Sequence, residues 1–376
     1  MVLDIYPEFG NKNTTAQKVW GQASMRILII TQKVDINDGV LGFFHRWVEE
    51  FAKHCESIIL ICLYEGAHNF PQNVRVLSLG KEEGESRSKY IFKFYQYIWQ
   101  ERKNYDTVFV HMNQLYVVLG GIIWRSLHKG IALWYTHKSV TTSLRIAERF
   151  ADIIFTASPE SFRLPSRKLH VMGHGIDTAR FADLALRRGV GSLFRILTIG
   201  RISPVKDYET LIRAAEILHK EGLVFSLTIV GGIADDRHEA YLMQIRKMIT
   251  EKGLDALVTL AGEVPNSQIE TYLLNADAFV NMSQTGSLDK AGLEAMAAGI
   301  PTITSNEAIA GVLGEKHKNL VFVPQNPQNL AEVLKTVMNS SVQARNEIGG
   351  SLQSIVRENH DISKLIPNII KELERA

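Results

Sequence analysis

Residues Ala278–Ser305 read AFVNMSQTGSLDKAGLEAMAAGIPTITS, and their pattern sets the fold class. AFVNM and TITS are short apolar runs of strand type, and the segment between them is long enough for a loop followed by a helix. A loop at the C-terminal end of a parallel strand is where open α/β sheets bind ligands. Gly286 permits a tight turn there, and the helix start behind it offers free backbone N–H groups and the positive end of a dipole. That chemistry suits an anionic or hydroxyl-rich ligand. Glu294 lies about one turn into the helix, among Ala291, Gly292, Leu293, Ala295 and Met296. A carboxylate in such apolar company must be bonded to something. A ribose diol fits in scale, and a partner from the protein's own fold is the alternative.

The same alternation of β-branched runs and helical periodicity extends in both directions. In the front half the strand candidates are Arg26–Ile30, Ser57–Leu63, Val74–Leu77, Thr107–Val110, Ile131–Thr136, Ile153–Thr156 and Leu169–Met172. In the back half they are Arg195–Ile199, Phe225–Val230, Leu257–Leu260, Ala278–Asn281, Thr302–Thr304 and Leu320–Val323. Most are nearly continuous apolar runs, as expected of strands covered on both faces. The expectation is α/β: two Rossmann-like, doubly wound domains facing a cleft. Residues 25–184 form the first domain and 185–355 the second. Ala182–Ser192, ADLALRRGVGS, reads as the linker, residues 356–376 as a terminal helix, and residues 1–24 as an extension without a signal-peptide pattern.

Composition narrows the function classes. The chain has 376 residues and a net charge of +2, too weak a balance to argue for nucleic acid. Its two cysteines, Cys55 and Cys62, have neither metal-ligand nor CxxC spacing, so a reducing cytoplasm is the expected home. No apolar run reaches the roughly 20 residues that cross a bilayer. Lys89–Lys103, KYIFKFYQYIWQERK, interleaves aromatic and basic residues. A core-facing helix with a charged rim is the favoured reading there, and peripheral contact with a membrane face stays open.

Other loops carry candidate chemistry. Gly200–Lys206, GRISPVK, follows the strand RILTI and precedes an amphipathic helix, so Arg201 and Lys206 share one βα loop. Two cations there could neutralise a diphosphate without a metal ion, though a solvated basic loop is the plain alternative. Gly39 and Gly42, in TQKVDINDGVLGFFHRW, allow close backbone approach to a phosphate or sugar, or mark an ordinary turn. His137, ending the strand LWYTH, should face the cleft. His111 and Asn113 in VFVHMN have the same placement and a weaker claim. Gly231-Gly232 lacks the rest of a dinucleotide or P-loop spacing, and no HExxH, Cys/His cluster or GxSxG occurs.

Together these segments resemble the family-4 retaining glycosyltransferases of GT-B architecture, from Met25 onward. The motifs TIGRISPVKDYETLIRAAEIL, LTIVGG, LAGEVPNSQIETYLLNADAFVNMS and LEAMAAGIPTITS follow in the family's order. The resemblance implies that Arg201 and Lys206 bind a donor diphosphate and that Glu294 binds the ribose hydroxyls. Val264 would lie against the base, and His137 would serve as the active-site histidine. Gly39 and Gly42 would form the loop closing over the donor, and Ile362–Leu373 would cross back onto the first domain. The family's first glutamate falls here on Gly286, which leaves Ser287, Leu288, Asp289 and Lys290 as nearby donor contacts. The implied activity is metal-independent transfer of a hexose-type sugar, with retention, from a UDP- or GDP-sugar to a glycan, lipid-linked or small-molecule acceptor. A sugar-nucleotide epimerase and a non-catalytic nucleotide-sugar-binding protein are the alternatives.

Overall fold

The computed structural model describes residues 25–184, 193–233, 236–284 and 286–375. The expected extension at 1–24, most of the linker and Thr285 lie outside the described residues.

Each half is built on an all-parallel sheet. The first carries β1 (Arg26–Val34), β2 (Ser57–Glu65), β3 (Val74–Ser78), β4 (Thr107–His111), β5 (Gly130–Trp134), β6 (Ile153–Thr156) and β7 (Leu169–Val171), in the order β3-β2-β1-β4-β5-β6-β7. The second carries β8 (Phe194–Ile199), β9 (Phe225–Val230), β10 (Val258–Gly262), β11 (Ala278–Asn281) and β12 (Thr302–Thr304), in the order β10-β9-β8-β11-β12. The inner strand β1 is apolar on both sides over Ile27–Ile30 because both sides are covered. Ile27 and Ile29 of β1 pack into one core, and Leu28 and Ile30 into another.

The helices are α1 (Phe43–His54), α2 (Arg87–Gln100), α3 (Gln114–Ser126), α4 (Thr142–Phe150) and α5 (Thr178–Phe181) in the first half. They continue as α6 (Tyr208–Lys220), α7 (Glu239–Glu251), α8 (Ile269–Leu274), α9 (Lys290–Ala297), α10 (Glu307–Leu313), α11 (Pro327–Asn339), α12 (Val342–Asn359) and α13 (Ile362–Leu373). Helices α2, α3 and α4 share one core on one face of the first sheet, through Phe94, Ile98, Val117, Trp124 and Leu144. On the opposite face α1 buries Phe44, Trp47 and Phe51.

The chain turns back at His360–Asp361, after α12, so the expected boundary at 356 falls inside that helix. Helix α13 then packs on α1 of the first domain. It buries Leu365, Ile366, Ile369 and Ile370, each contributing about 1.5–3 kcal/mol. The Trp47 indole N–H donates to the Gly175 carbonyl at 3.1 Å beneath it. One strand expectation fails. Leu320–Val323 is apolar but pairs only through a single bridge from Val321 to Thr304, because β12 ends there.

Candidate functional site

In each sheet the strand order reverses next to the first strand, between β1 and β4 and between β8 and β11. Loops at such a switch point diverge and leave a crevice. The loop after β8 holds Arg201 and Lys206, and the loop after β11 leads to Gly286 and α9. The two are tied by the Gln284 amide, which donates to the Val205 carbonyl at 2.9 Å. Gly39 and Gly42 follow β1, opposite them across the cleft.

Lys206 donates to Asp289 at 2.5 Å, and both side chains are largely buried. Asp289 also caps α9, accepting from the Ala291 amide at 3.2 Å. Burial works against a charge on Asp289, yet Lys206 outweighs it and holds the carboxyl below its ordinary range. One turn on, Glu294 is buried and bonded to Lys290. Lys290 in turn lies 5.0 Å from the centre of the Phe43 ring, a cation–π contact across the cleft. The buried carboxylate expected at Glu294 therefore exists, and its partner is a lysine of its own helix.

Among the described residues, two cavities lie in the cleft. One, of about 300 Å³, is lined by Gly39, Gly200, Arg201, Gly231, Glu263 and Val264. The other, of about 260 Å³, is lined by Gly42, Phe43, Arg46, Arg180, Lys290 and Glu294. The segment Ile36–Gly42 contributes to both and stands between them. A Cβ on Gly39 would meet a Glu263 carboxylate oxygen at 3.3 Å, so this loop rests against the second domain. Asp38 shapes the loop by accepting from the Val40 and Leu41 amides, and the Gly42 amide donates to the Asp38 carbonyl. A Cβ on Gly42 would lie 2.4 Å from that carbonyl, so only glycine closes this turn.

The structure places four of the expected contacts otherwise. Arg201 and Glu294 line different cavities, because the Ile36–Gly42 loop divides the cleft between them. Leu288 is buried and its amide donates to the Ser161 hydroxyl at 3.1 Å, so that amide is committed to the first domain. Asp289 is taken by Lys206 and by capping. His137 lines neither cavity. It is exposed and accepts from the Ser139 amide at 3.0 Å, because it follows β5, one strand beyond the switch point. Its neighbour Lys138 does cross the cleft, donating to the Gln284 carbonyl at 2.7 Å. Ser287 accepts through its carbonyl from Asn306 at 3.1 Å. Gly286 has φ +65°, and a Cβ there would lie 2.8 Å from a Glu307 carboxylate oxygen and 3.0 Å from Lys138. Glu307 is paired with Arg163 of the first domain.

Arg180, His174 and His360 carry no local sequence signal, whereas His111 stood out only by its place at a strand end. Arg180, beside the linker, donates to the Asn266 side chain at 2.7 Å and its carbonyl at 2.5 Å, and pairs with Glu270. A buried set, His111, His174 and His360, is assembled from distant positions. The His174 amide donates to His360 Nδ1 at 3.1 Å, and His111 stacks on Phe44 at 4.0 Å.

Residues 190–351 match the family model described as Glycosyl transferases group 1. No curated protein matches the sequence at a significant level. HepE from Anabaena, solved in complex with UDP and glucose, superposes with TM-score 0.75 at 21% identity, covering 94% of this chain and 100% of that one. The fold is GT-B. A sucrose-phosphate synthase from Thermosynechococcus elongatus gives TM-score 0.75 at 16% identity over 93% and 98% of the two chains. A glycosyltransferase from Rickettsia africae gives 0.72 at 13% over 94% and 98%. This GT-B chain thus has a Glycosyl transferases group 1 domain as its second half, with the divided cleft at the junction. None of its helices, among the described residues, is long and apolar enough to cross a membrane.

Proposed function

We propose that this protein transfers a hexose-type sugar from a nucleoside-diphosphate sugar to an acceptor hydroxyl, retaining the anomeric configuration. The observation that carries the reading is the Lys206–Asp289 contact. It joins the cationic loop after β8 to the start of α9 at the switch point of the Glycosyl transferases group 1 domain. In this reading the diphosphate lies between Arg201, Lys206 and the α9 N-terminus, and the ribose reaches Glu294 after Lys290 swings aside and the Ile36–Gly42 loop, which divides the two cavities here, moves from between them. The base lies along Glu263 and Val264. The solved neighbour with UDP and glucose supports a UDP-type donor.

The chemistry follows from where charge develops. The C1–O bond to the diphosphate breaks, electrons pass to the leaving oxygen, and the sugar becomes oxocarbenium-like. Cations fixed beside that oxygen stabilise this charge more than the ground state, without a metal ion. The acceptor oxygen attacks the same face, and its proton passes to the departing phosphate. A closed cleft limits attack by water instead.

The test is calorimetry with UDP and GDP on wild type and Arg201→Ala, followed by incubation with a donor panel and extracted lipids or glycans, read by mass spectrometry. A new glycoside supports transfer. Isomerised donor without acceptor points to an epimerase, and donor bound but unchanged throughout points to a binding protein. Nucleotide affinity untouched by Arg201→Ala removes the phosphate assignment.

A further inference from the structure

The outer surface of α2, α3 and α4 takes no part in the cleft. These helices cover one face of the first sheet side by side. The Tyr95 hydroxyl of α2 donates to the Leu119 carbonyl of α3 at 3.1 Å. Gly121 of α3 leaves room for the Phe150 ring of α4, which lies 2.5 Å from where a Cβ would be. Once their inner faces are buried, large apolar side chains remain outside: Phe92 (68% exposed), Trp99 (53%), Leu115, Ile122 (67%) and Ile146. Phe92 and Trp99 are seven residues apart on α2, as are Leu115 and Ile122 on α3, so each pair lies on one stripe of its helix.

The charge on these helices is mostly of one sign, with Lys89, Lys93 and Arg125 paired to Glu85, Glu83 and Asp152 beside them. The three helices carry six Lys and Arg (Arg87, Lys89, Lys93, Arg125, Arg145 and Arg149) against one acid, Glu148. Glu148 faces inward, accepting from Ser166. Arg87, Arg145 and Arg149 are exposed and have no acidic partner within ion-pair distance among the described residues. Arg102, just past α2, sits 4.5 Å over the Trp99 ring. A solvated basic face would not carry exposed Phe, Trp and Ile, and an apolar protein interface is ordinarily poor in lysine. Apolar side chains that can enter a headgroup layer, flanked by unpaired cations and without exposed acids on the helices, match one surface chemistry: an anionic lipid bilayer.

We infer that the α2–α3–α4 face seats the protein on an anionic membrane surface, with Phe92, Trp99 and Ile122 inserted at headgroup depth and Arg87, Arg145 and Arg149 against lipid phosphates. Helices α3 and α4 begin at the C-terminal ends of β4 and β5, the same edge of the sheet from which the cleft opens. The seated surface therefore runs up to the rim of the cleft, where an acceptor carried in the lipid would arrive. The inference concerns docking alone and does not depend on the reaction performed.

The experiment is co-flotation of the full chain with vesicles of phosphatidylcholine containing about 30 mol% phosphatidylglycerol, against pure phosphatidylcholine vesicles. Binding to the anionic vesicles, weakened by salt, is expected. Phe92→Ser/Trp99→Ser should reduce partitioning about tenfold with unchanged melting temperature and unchanged UDP binding. Arg145→Gln/Arg149→Gln, which leaves the apolar stripe intact, should also reduce it. Equal binding to both vesicle types, no binding to either, or undiminished binding by both variants overturns the inference. So does ultracentrifugation showing a lipid-free dimer that Phe92→Ser/Trp99→Ser dissociates, because a second copy would then be the occupant.

Discussion

Replacing Lys206 by Met should damage stability and binding by separable amounts. At 2.5 Å the Lys206–Asp289 pair attracts with a gross energy of about 7 kcal/mol at an effective dielectric of 20. Most of that offsets the desolvation of two side chains that are 17% and 11% exposed. The sharper quantity is what remains when one partner goes. A stranded, buried carboxylate costs about 3–5 kcal/mol. Asp289 can escape by taking a proton, which at pH 7 costs about 4 kcal/mol for an ordinary aspartate. Lys206→Met should therefore cost about 3–4 kcal/mol at pH 7. At pH 5 protonation costs only about 1.5 kcal/mol, so the deficit relative to wild type should shrink accordingly. Adding Asp289→Asn removes the stranded charge while keeping a capping side chain, and should restore stability to within about 1 kcal/mol. On the proposed function binding should not recover, because the ammonium assigned to the diphosphate is still missing, a loss of about 2 kcal/mol or roughly thirtyfold in Kd. Urea denaturation at the two pH values and UDP calorimetry on both variants provide the measurements. A single-variant cost below about 1 kcal/mol at pH 7, or one insensitive to acid, refutes the buried-pair argument. A stable double variant that binds UDP as tightly as wild type refutes the role of Lys206.

Three further outcomes follow from the same structure. Burial holds His111 and His174 at about 3 and His360 at about 4, below the ordinary histidine value, so these rings fold neutral. Their contribution is complete above about pH 6.5 and is lost as pH falls. Each should cost about 2 kcal/mol at pH 5, and His360→Asn should flatten the acid limb of a melting-temperature profile. Gly231→Ala places a Cβ 2.0 Å from the Gly200 carbonyl at φ +143°, so it should cost about 3 kcal/mol or more in urea denaturation and weaken UDP binding. Arg163→Ala breaks a pair exposed on both sides, so stability should change by less than about 1 kcal/mol. Small-angle scattering of the same variant should show a more open cleft.

The parts of this fold that were legible are those in which burial acts on a local pattern. Ile153–Thr156 and Ala278–Asn281 are buried on both sides because both sides are covered, and the strands lie at those residues. Leu320–Val323 has the same composition, but whether an apolar run becomes a strand depends on a partner of matching length, and β12 has only Thr302–Thr304 to offer. The cationic loop and the acid-bearing helix were legible because each follows its strand directly. What they bond to was not. Lys206 finds Asp289 83 residues away, and His174 finds His360 186 residues away, separations at which no periodicity survives. His137 shows the limit of reasoning from strand ends alone. It follows β5, which stops at Trp134, but the crevice lies at the reversal beside β4, and only the strand order reveals that.

Gly286 shows how a site can lose a side chain without losing the charge. With φ +65° the residue must stay small, yet the space its side chain would fill is occupied by the Glu307 carboxylate, brought in by α10 from the next loop. That carboxylate is held by Arg163, and Lys138 holds the adjoining Gln284 carbonyl; both cations belong to the first domain. Such exposed contacts are individually worth less than about 1 kcal/mol. A donor whose sugar reaches this corner can therefore displace them at small cost and meet an acid there. Where a glutamate on the α9 loop would present its charge whatever the position of the domains, Glu307 frees its charge only when Arg163 lets go. On the proposed function, the sugar pocket and the opening of the cleft share that one ion pair.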